Sequence, residues 1–304
     1  MSDVVIITVN YKGADATAAF LGSVSRLDDF QRAHVIVVEN GSHDGSAERL
    51  RPLVAGSLNV ELLGSDINRG YFGAANWALQ QYLARGNRPD WVIICNNDIL
   101  FDDRQFLAKL LQRNPGDAAV IAPAIIARLT GVDCNPFMRH RPSALKLMRI
   151  RMWHSSYYFM WIKQLLSPYL RTIRHRVSQR VSRAAEQQES QIYGAHGAMF
   201  IFSRAYFEAG GFIDDGYFLY AEELCTAETC VRLGLRVIHD PELRVSHDAH
   251  QVTGRHLNRA MYEHARGALY YALRKHFWAK DGSKDEAARS VEAGKKAPEE
   301  LLKT

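Results

Sequence analysis

The sequence predicts an α/β fold with a mostly parallel central sheet. Short apolar runs rich in β-branched residues have the near-continuous hydrophobicity of strands that are buried on both faces. Segments with helical spacing of apolar residues lie between these runs. Strands that alternate with helices need crossover connections, which place the strands parallel in one sheet. We therefore expect ligands to bind beyond the carboxyl ends of the strands.

The elements of the first half follow this alternation along the chain. The predicted strands are residues 4–9, 35–38, 60–63 and 91–95. The predicted helices are residues 14–27, 46–54 and 71–85. Asp44 and Ser46 offer side-chain oxygens that can cap the second of these helices. Together these elements predict a Rossmann-like half over residues 1–125.

The second half adds a smaller α/β portion that completes the domain. Its predicted elements are a strand at residues 198–202, a short helix at 204–209 that Gly210 closes, and a helix at 222–233 that Gly234 ends. Residues 256–280 predict an amphipathic helix that mixes basic and aromatic side chains. Residues 281–304 alternate charged and small residues without an aromatic one, so we expect a frayed helix or a disordered tail.

Composition excludes several classes of protein. A chain of 304 residues that is 47% hydrophobic and 23% charged is neither collagen-like nor a coiled coil nor wholly disordered. It contains no run of 18 apolar residues and enters a strand pattern directly, so we expect it to stay in the cytoplasm. The four cysteines include no Cys-x-x-Cys pair, which predicts reduced and mostly buried thiols.

Positive charge is concentrated in residues 134–185, which we call the basic segment. This segment holds eleven of the 38 Lys and Arg residues and no Asp or Glu, so the rest of the chain is net negative. Aromatic and aliphatic residues alternate with the charges, a composition suited to the interface of an anionic membrane. The alternative is a solvated helical hairpin whose aromatic residues pack on the body. No recognition motif accompanies the charge, which argues against nucleic-acid binding.

Polar residues gather where the predicted parallel strands end. Asn10 follows the first strand, residues 39–45 follow the second, and Asn96, Asn97 and Asp98 follow the fourth. A carboxylate at such a strand end can hold a hard divalent cation, with further ligands supplied by a diphosphate. Asn and Asp are also common turn residues, so a structural turn is the alternative for this motif.

Several of these segments occur in an order that is hard to obtain by chance. In the first half they are Val-Ile-Ile-Thr-Val-Asn-Tyr at residues 5–11, Val-Ile-Val-Val-Glu-Asn-Gly-Ser-His-Asp-Gly-Ser at 35–46, Asn-Arg-Gly-Tyr-Phe-Gly-Ala-Ala-Asn at 68–76 and Cys-Asn-Asn-Asp at 95–98. In the second half they are Gly-Ala-His-Gly-Ala at 194–198, Gly-Gly-Phe at 210–212, Phe-Leu-Tyr-Ala-Glu-Glu at 218–223, Arg-Leu-Gly at 232–234 and Val-Ser-His at 245–247. Over about residues 3–250 the chain resembles the family 2 nucleotide-sugar glycosyltransferases, and among them the rhamnosyltransferase-type members. The resemblance implies the GT-A fold and an inverting, metal-dependent transfer of a sugar.

The resemblance also implies which residues bind the nucleotide sugar. Glu39 stands where the family places an acidic residue that accepts a hydrogen bond from the nucleobase, although most relatives use Asp there. The segment at residues 68–76 lines the nucleotide and the diphosphate in the family. The full set implied for the nucleotide sugar is Thr8, Asn10, Glu39, Asn40, Asn68, Gly70, Asn76 and Asn97.

A cofactor, Mg²⁺ or Mn²⁺, is implied by the match to the family's Asp-x-Asp motif. Asp98 matches its last position, whereas the first acidic position is occupied by Asn96, which leaves one carboxylate instead of two. His247 matches a late histidine that completes metal or diphosphate coordination in many GT-A enzymes. Neighbouring alternatives to it are Asp240, Asp248 and His250.

Glu222 and Glu223 fall where the family has Glu-Asp, whose second member is the catalytic base. In an inverting transfer a carboxylate must take the proton of the attacking acceptor hydroxyl. The match assigns Glu223 as the base and Glu222 as its neighbour at the acceptor, and the choice between the two stays open. The later acidic residue of the family pattern is missing here or shifted to Glu228.

These inferences give a division of the chain and a set of partners. We expect a nucleotide-sugar-binding half at residues 1–125, a basic aromatic helical insertion at 126–190 and an acceptor and catalytic half at 191–255. An amphipathic helix at 256–280 and a polar tail at 281–304 would follow. The implied partners are a UDP- or dTDP-linked sugar, with rhamnose as the first candidate, a glycan or polyprenyl-linked acceptor in cell-surface polysaccharide synthesis, and the inner face of an anionic membrane.

Two rival hypotheses remain at this point. A catalytically inactive GT-A domain that serves as a scaffold would explain the missing first aspartate. A dinucleotide-dependent oxidoreductase should carry Gly-x-Gly-x-x-Gly after the first strand, and the residues at 10–13 lack that pattern.

Overall fold

The computed structural model describes residues 2–163, 188–248 and 259–278. Its strands are β1 (Val4–Asn10), β2 (Ala33–Asn40), β3 (Val60–Ser65), β4 (Trp91–Asn96), β5 (Ile99–Leu100), β6 (Val120–Ala127), β7 (Ser190–Ile192), β8 (Met199–Ser203) and β9 (Val237–His247). Its helices are α1 (Ala14–Val24), α2 (Ser46–Val54), α3 (Tyr71–Ala84), α4 (Phe106–Leu111), α5 (Ala144–Trp153), α6 (Arg204–Glu208), α7 (Glu222–Leu233) and α8 (Arg259–His276), with a 3₁₀ turn at Phe30–Arg32. The predicted tail at 281–304 and part of the basic segment lie outside the described residues.

The strands form one curled sheet, which confirms the predicted α/β class. Its order is β3-β2-β1-β4-β8-β6-β9-β5, and β7 pairs with β9. In the first half β1 is parallel to both β2 and β4, and β2 is parallel to β3. The strand β8 runs antiparallel between β4 and β6, and β9 is parallel to β6. The sheet therefore joins the two halves of the sequence edge to edge.

Helices cover both faces of the sheet, as the near-continuous apolar strands require. On one face, Val5 and Ile7 of β1 pack in a core with α3, α7 and α8. On the other, Val4 and Ile6 of the same strand pack in a core with α1, α4 and Leu50 of α2. Alternate residues of β1 thus enter different cores, which is why the strand shows no polar face in the sequence.

Element boundaries agree with the prediction to within a few residues in the first half. The N-cap residue of α2 is Gly45, which forms no side-chain cap, so the prediction that Asp44 or Ser46 caps this helix was wrong. Asp44 Oδ1 instead accepts a hydrogen bond from the backbone N–H of Ser46 at 3.0 Å, two residues along the chain. The structure also contains β6 and β9, which the sequence reading did not identify. A register shift between Pro123 and Ala124 interrupts their pairing, so neither strand shows a clean period.

Two further observations concern membranes and thiols. No helix among the described residues has the length and apolar character needed to cross a bilayer. The cysteines are free thiols, as predicted, with Cys95, Cys225 and Cys230 buried and Cys134 half-buried.

Candidate active site

Three parallel strands end side by side at one edge of the sheet. Asn10 of β1 is in register with Glu39 of β2, and Val9 of β1 is in register with Asn96 of β4. Thr8, two residues before Asn10 in β1, is buried and in register with Cys95 of β4. The loops that follow these strands therefore open into one crevice, where the strand-end prediction places a ligand.

Asp98 and His247 meet in this crevice because β5 pairs with the end of β9. The register joins Ile99 to His247, which sets Asp98 beside the imidazole. Asp98 Oδ1 lies 3.1 Å from His247 Nε2, and both side chains are largely buried. The contact is an ion pair, and this buried oxygen accepts no aligned hydrogen bond from the described residues. A buried carboxylate oxygen without such a donor is suited to a cation.

His247 and His196 lie at this position, and their pKa values are shifted in opposite directions. Burial lowers the pKa of His247, but Asp98 and Cys134 outweigh it and raise the pKa to about 9. The ring of His196 lies 6.1 Å from that of His247, centroid to centroid. Burial and the charge of His247 lower the pKa of His196 to about 4. His196 is therefore a neutral imidazole at neutral pH, next to a cationic one.

Glu222 and Glu223 occupy the first turn of α7, where the helix dipole favours carboxylates. Glu223 Oε1 accepts a hydrogen bond from the backbone N–H of Gly197 at 3.2 Å. Glu222 Oε1 accepts one from the backbone N–H of Tyr220 at 3.2 Å. Burial raises the pKa of both carboxyls, and the charge of Glu223 raises that of Glu222 further. A carboxylate with a raised pKa is a stronger base than one in water.

The charges of carboxylates from both halves of the chain act on the buried hydroxyl of Tyr71. Its hydroxyl is buried at the start of α3 and has no hydrogen-bond partner in the described part of the chain. Burial raises the pKa of Tyr71 well above its ordinary value, and the charges of Glu222, Asp98 and Glu223 contribute in the same direction. All three carboxylates are thus within electrostatic reach of one hydroxyl. The backbone pairing of Asn96 N–H with Ala198 O at 2.9 Å joins the same two regions directly.

The residues matched to the nucleotide sugar are placed in two groups. In the first, Asn40 braces the loop before α3: its Nδ2 donates to Asn68 Oδ1 at 2.9 Å and to Gly70 O at 3.1 Å. Its Oδ1 accepts from the backbone N–H of Arg69 at 2.9 Å. Gly70 has a φ of +75°, and a Cβ there would lie 2.2 Å from Phe218 O. Asn40 and Asn68 therefore fix a tight loop against the segment that precedes α7.

In the second group, Asn10 and Asn97 both bond to the start of α1. Asn97 Nδ2 donates to Thr17 Oγ1 at 2.9 Å and to Gly13 O at 3.2 Å. Thr17 Oγ1 in turn donates to Asn10 Oδ1 at 2.8 Å. These bonds hold α1 at the crevice and occupy the side-chain N–H groups of Asn97.

Glu39 and Asn76 lie at the two ends of the proposed donor region. Glu39 is buried, and its Oε1 accepts a hydrogen bond from the backbone N–H of Ser42 at 3.1 Å. Asn76, on α3, donates through Nδ2 to Asp215 Oδ2 at 3.0 Å. Asn76 thus contacts the segment that precedes α7.

The alternatives considered for the metal and base positions are engaged elsewhere. Asp240 is buried and pairs with Arg113 Nε at 2.9 Å. Asp248 lies 3.9 Å from Arg128 Nη1, and His250 lies outside the described residues. Glu228 is bound by Arg141 and Tyr193, so the shifted acidic residue is part of a structural network.

Sequence reasoning did not single out His196, Gly197 or Tyr71. Each lies within a quoted family segment, at residues 194–198 or 68–76, so a signal was present. Their importance depends on tertiary contacts with His247 and Glu223, which spacing along the chain does not show.

Known glycosyltransferases are similar to this chain in sequence. Residues 3–211 match the model of glycosyl transferase family 2. The chain is 26% identical over 264 residues to an N-acetylglucosaminyl-diphospho-decaprenol L-rhamnosyltransferase of Mycobacterium tuberculosis (strain ATCC 25618 / H37Rv), covering 84% of this chain and 79% of the relative.

The solved structure of a glycosyltransferase, GalNAc-T7, shares the fold. GalNAc-T7 with UDP, GalNAc and Mn²⁺ aligns with a TM-score of 0.56 at 12% identity, over 89% of this chain and 47% of that one. The mannosyltransferase PcManGT from Pyrobaculum calidifontis, in complex with GDP-Man and Mn²⁺, aligns with a TM-score of 0.48 at 14% identity, over 99% and 83% of the two chains. The fold is GT-A, and the match over residues 3–211 makes this chain a glycosyltransferase that belongs to glycosyl transferase family 2.

Proposed function

We propose that this glycosyltransferase moves a sugar, with inversion, from a UDP- or dTDP-linked donor to a glycan or polyprenyl-linked acceptor. The observation that supports the proposal is a chain of contacts from Asp98 to Glu223. Asp98 Oδ1 lies 3.1 Å from His247 Nε2, and the rings of His247 and His196 are 6.1 Å apart. The backbone N–H of Gly197, the residue after His196, donates to Glu223 Oε1 at 3.2 Å. Rhamnose is the proposed sugar, supported by the name of the Mycobacterium tuberculosis relative. That name also supports a lipid-linked acceptor. The process we propose for the transfer is cell-surface polysaccharide synthesis.

A divalent cation, Mg²⁺ or Mn²⁺, fits the pair formed by Asp98 and His247. Its binding would displace the proton that the ion pair holds on the imidazole, since histidine binds a metal only in the neutral form. The ligand atoms of Asp98 and His247 lie 3.1 Å apart. Adjacent ligands of an octahedral cation with bonds of ~2.1 Å are separated by about 3 Å. Apart from this ion pair, the buried Asp98 Oδ1 accepts no aligned hydrogen bond from the described residues. The bound cation would neutralise the negative charge that develops on the departing diphosphate.

Glu223 is the proposed base. When the acceptor hydroxyl attacks the anomeric carbon, the bond from that carbon to the diphosphate oxygen breaks and the hydroxyl proton passes to Glu223. The N–H of Gly197 holds one oxygen of the carboxylate, so the other is left to face the acceptor. Burial raises the pKa of Glu223, and the like charge of Glu223 adds to the effect of burial on the pKa of Glu222 beside it.

The donor is proposed to lie along the strand ends and the start of α3. Glu39 would accept from the imide N–H of a pyrimidine base. The loop braced by Asn40 and Asn68 would bring the diphosphate to the N-terminus of α3, where backbone N–H groups favour anions. The other residues proposed to shape this region are Thr8, Asn10, Gly70, Asn76 and Asn97. Asn10 and Asn97 do so by holding the start of α1.

Donor turnover tests the proposal. We expect the wild type to hydrolyse or transfer a UDP- or dTDP-sugar only with Mn²⁺ or Mg²⁺ present, and Asp98→Asn and Glu223→Gln to lose at least ~10²-fold in rate. Asp102→Asn, at an exposed position four residues after Asp98, is the matched control and should keep the wild-type rate. An inactive scaffold would instead show no turnover of any donor, and wild-type rates in both variants would overturn the assigned site.

Membrane attachment is a second part of the proposal, and it rests on α5 and the residues after it. Leu145 is 78% exposed, Met148 65% and Tyr158 73%, and Trp161 is also exposed. The same stretch carries basic residues and no acidic one. Apolar side chains interleaved with cations suit the headgroup region of an anionic bilayer. We propose that this surface holds the enzyme on the inner face of the membrane, close to a polyprenyl-linked acceptor.

A further inference from the structure

A cavity of about 520 Å³ lies between α8 and the segment that precedes α7. It is separate from the strand-end residues matched to the donor. Aromatic side chains dominate its lining, which includes Tyr217, Phe218, His264, Tyr270, Tyr271 and Trp278. A cavity of this size is within the range of small-molecule sites and can hold one or two sugar rings.

The rings of the cavity are fixed by stacking and hydrogen bonding. Phe218 stacks on His264 with centroids 4.5 Å apart. Tyr271 donates its hydroxyl hydrogen to Asp214 Oδ1 at 2.8 Å. Preorganised aromatic faces bind the apolar faces of sugar rings at low cost in side-chain entropy. The lining is therefore suited to a saccharide.

Positive charge surrounds the mouth of the cavity. Arg274 lines it and is exposed. The Arg151 guanidinium lies 4.8 Å from the ring centre of Trp278 and 5.9 Å from that of Tyr270. The acidic lining residue Glu263 is 3.9 Å from Arg266. Arg151 and Arg274 are not part of the Glu263–Arg266 pair and can bind an anion. Guanidinium groups match phosphate oxygens in geometry.

The inner wall of the cavity is shared with the catalytic crevice. Phe218 O accepts a hydrogen bond from the backbone N–H of Tyr71 at 3.2 Å. Burial raises the pKa of Tyr217, and the charges of Glu222 and Glu223 raise it further. Tyr217 thus faces the cavity while lying within reach of the proposed base. A molecule in the cavity would have one end next to Glu223.

The outer side leads to the exposed apolar surface of α5. Arg151 belongs to α5, the helix that also carries the exposed Leu145 and Met148. From Glu223 outward, the order is therefore the aromatic cavity, then Arg151 and Arg274, and then the exposed apolar surface of α5. This order is that of a saccharide, a diphosphate and a lipid chain in one linear molecule.

We infer that this cavity is the acceptor site and binds the sugar of a lipid diphosphate-linked saccharide, with Arg151 and Arg274 at the diphosphate. The inference rests on the proposed function, which supplies the acceptor class. Tyr270 and Trp278 contact the sugar, and the lipid chain lies along α5. The site is occupied independently of the donor, because the two share only the wall formed by Tyr217 and Phe218.

Calorimetric titration tests the inference without relying on turnover. The probe is a short-chain isoprenyl diphosphate that carries one N-acetylglucosamine. We expect Arg274→Gln and Tyr270→Ala each to raise the Kd by about tenfold or more, while Tyr270→Phe, which keeps the ring, stays within about twofold of the wild type. Arg51→Gln, at an exposed position of α2 on the opposite face of the sheet, is the charge control and should keep the wild-type Kd.

A second probe separates the two parts of the site. With the isoprenyl diphosphate that lacks the sugar, Arg274→Gln should still weaken binding and Tyr270→Ala should not. Equal Kd values in all variants, or no binding of the saccharide probe to the wild type, would overturn the inference. Failure of the proposed function would show separately, as no metal-dependent turnover of nucleotide sugars by the wild type.

Discussion

Gly197 and Glu223 fit together in a way that a larger residue at 197 would prevent. The backbone N–H of Gly197 donates to Glu223 Oε1 at 3.2 Å. A Cβ at residue 197 would lie only 2.6 Å from the same oxygen and 3.1 Å from the carboxyl carbon. The hydrogen bond that orients the proposed base therefore requires a residue without a side chain.

Gly197→Ala should displace the Glu223 carboxylate while leaving the fold intact. The atom in conflict is the end of a flexible side chain, so it can rotate away at little cost in stability. A misplacement of about 1 Å in catalytic geometry can cost ~10²-fold in rate. We expect a loss of that order in sugar transfer, with a melting temperature close to that of the wild type. Gly64→Ala is the control, because a Cβ at residue 64 meets no atom within 4 Å.

The pH dependence of transfer should reflect the raised pKa values of Glu222 and Glu223. The base must lose its proton, so the rate should rise with pH across the range in which the pair titrates. Glu222→Gln removes a like charge and should move this rise to lower pH. Rates of donor turnover across pH at saturating metal would measure the shift. An unchanged profile in Glu222→Gln would show that the two carboxyls do not titrate together.

The same carboxyls should make the fold less stable as pH rises. An unfolded glutamate has a pKa of ~4.3, and both folded pKa values lie above theirs. The folded state therefore binds more protons in this window, and the free energy of unfolding falls as pH increases through it. Glu222→Gln should lose less stability than the wild type between about pH 5 and about pH 8. Chemical denaturation at several pH values measures the difference, and parallel curves would contradict the prediction.

The sequence was most informative where chemistry follows directly from a strand end. Asp98 could be singled out because it follows a continuous apolar strand, and Glu223 because it begins a helix inside a family segment. Neither observation reveals His196, whose ring meets His247 only after β8 and β9 have entered the same sheet. The bonds of Asn97 to α1 were equally hidden, since they join residues 80 positions apart.

The strands β6 and β9 show a second limit of sequence patterns. Pro123 lies in β6 and Pro241 in β9, and the pairing shifts register between Pro123 and Ala124. Proline is depleted from strand interiors, so both segments give a weak strand signal although they are buried in the sheet. Their pairing is specified by tertiary packing, which a local window does not record.

Membrane binding should depend on the exposed apolar residues of α5 and the residues after it. We expect the protein to float with vesicles that contain phosphatidylglycerol at low salt, and to bind less as salt screens the basic residues. A double change, Met148→Ser with Trp161→Ser, should reduce flotation because both side chains are exposed and neither lies in the core. Leu58→Ser, at a residue 96% exposed on another surface, is the matched control. Wild type that stays unbound at low ionic strength would refute attachment through this surface.

Arg141 joins the basic segment to α7 through the buried carboxylate of Glu228. Its Nε and Nη2 each lie 2.7 Å from an oxygen of Glu228, which is 4% exposed and also accepts from the Tyr193 hydroxyl at 2.5 Å. Arg141→Met would leave that charge buried with a single donor, and removing one partner of such a pair costs about 3 kcal/mol or more.

A double variant tests whether this loss of stability comes from the buried, unpaired charge of Glu228. In Arg141→Met combined with Glu228→Met, no carboxylate is left to desolvate, so the double variant should be more stable than Arg141→Met alone. Urea unfolding of the wild type, both single variants and the double variant would give the coupling energy. If the effects of the two changes simply add, Arg141 and Glu228 act independently, and the basic segment is held on α7 by other contacts.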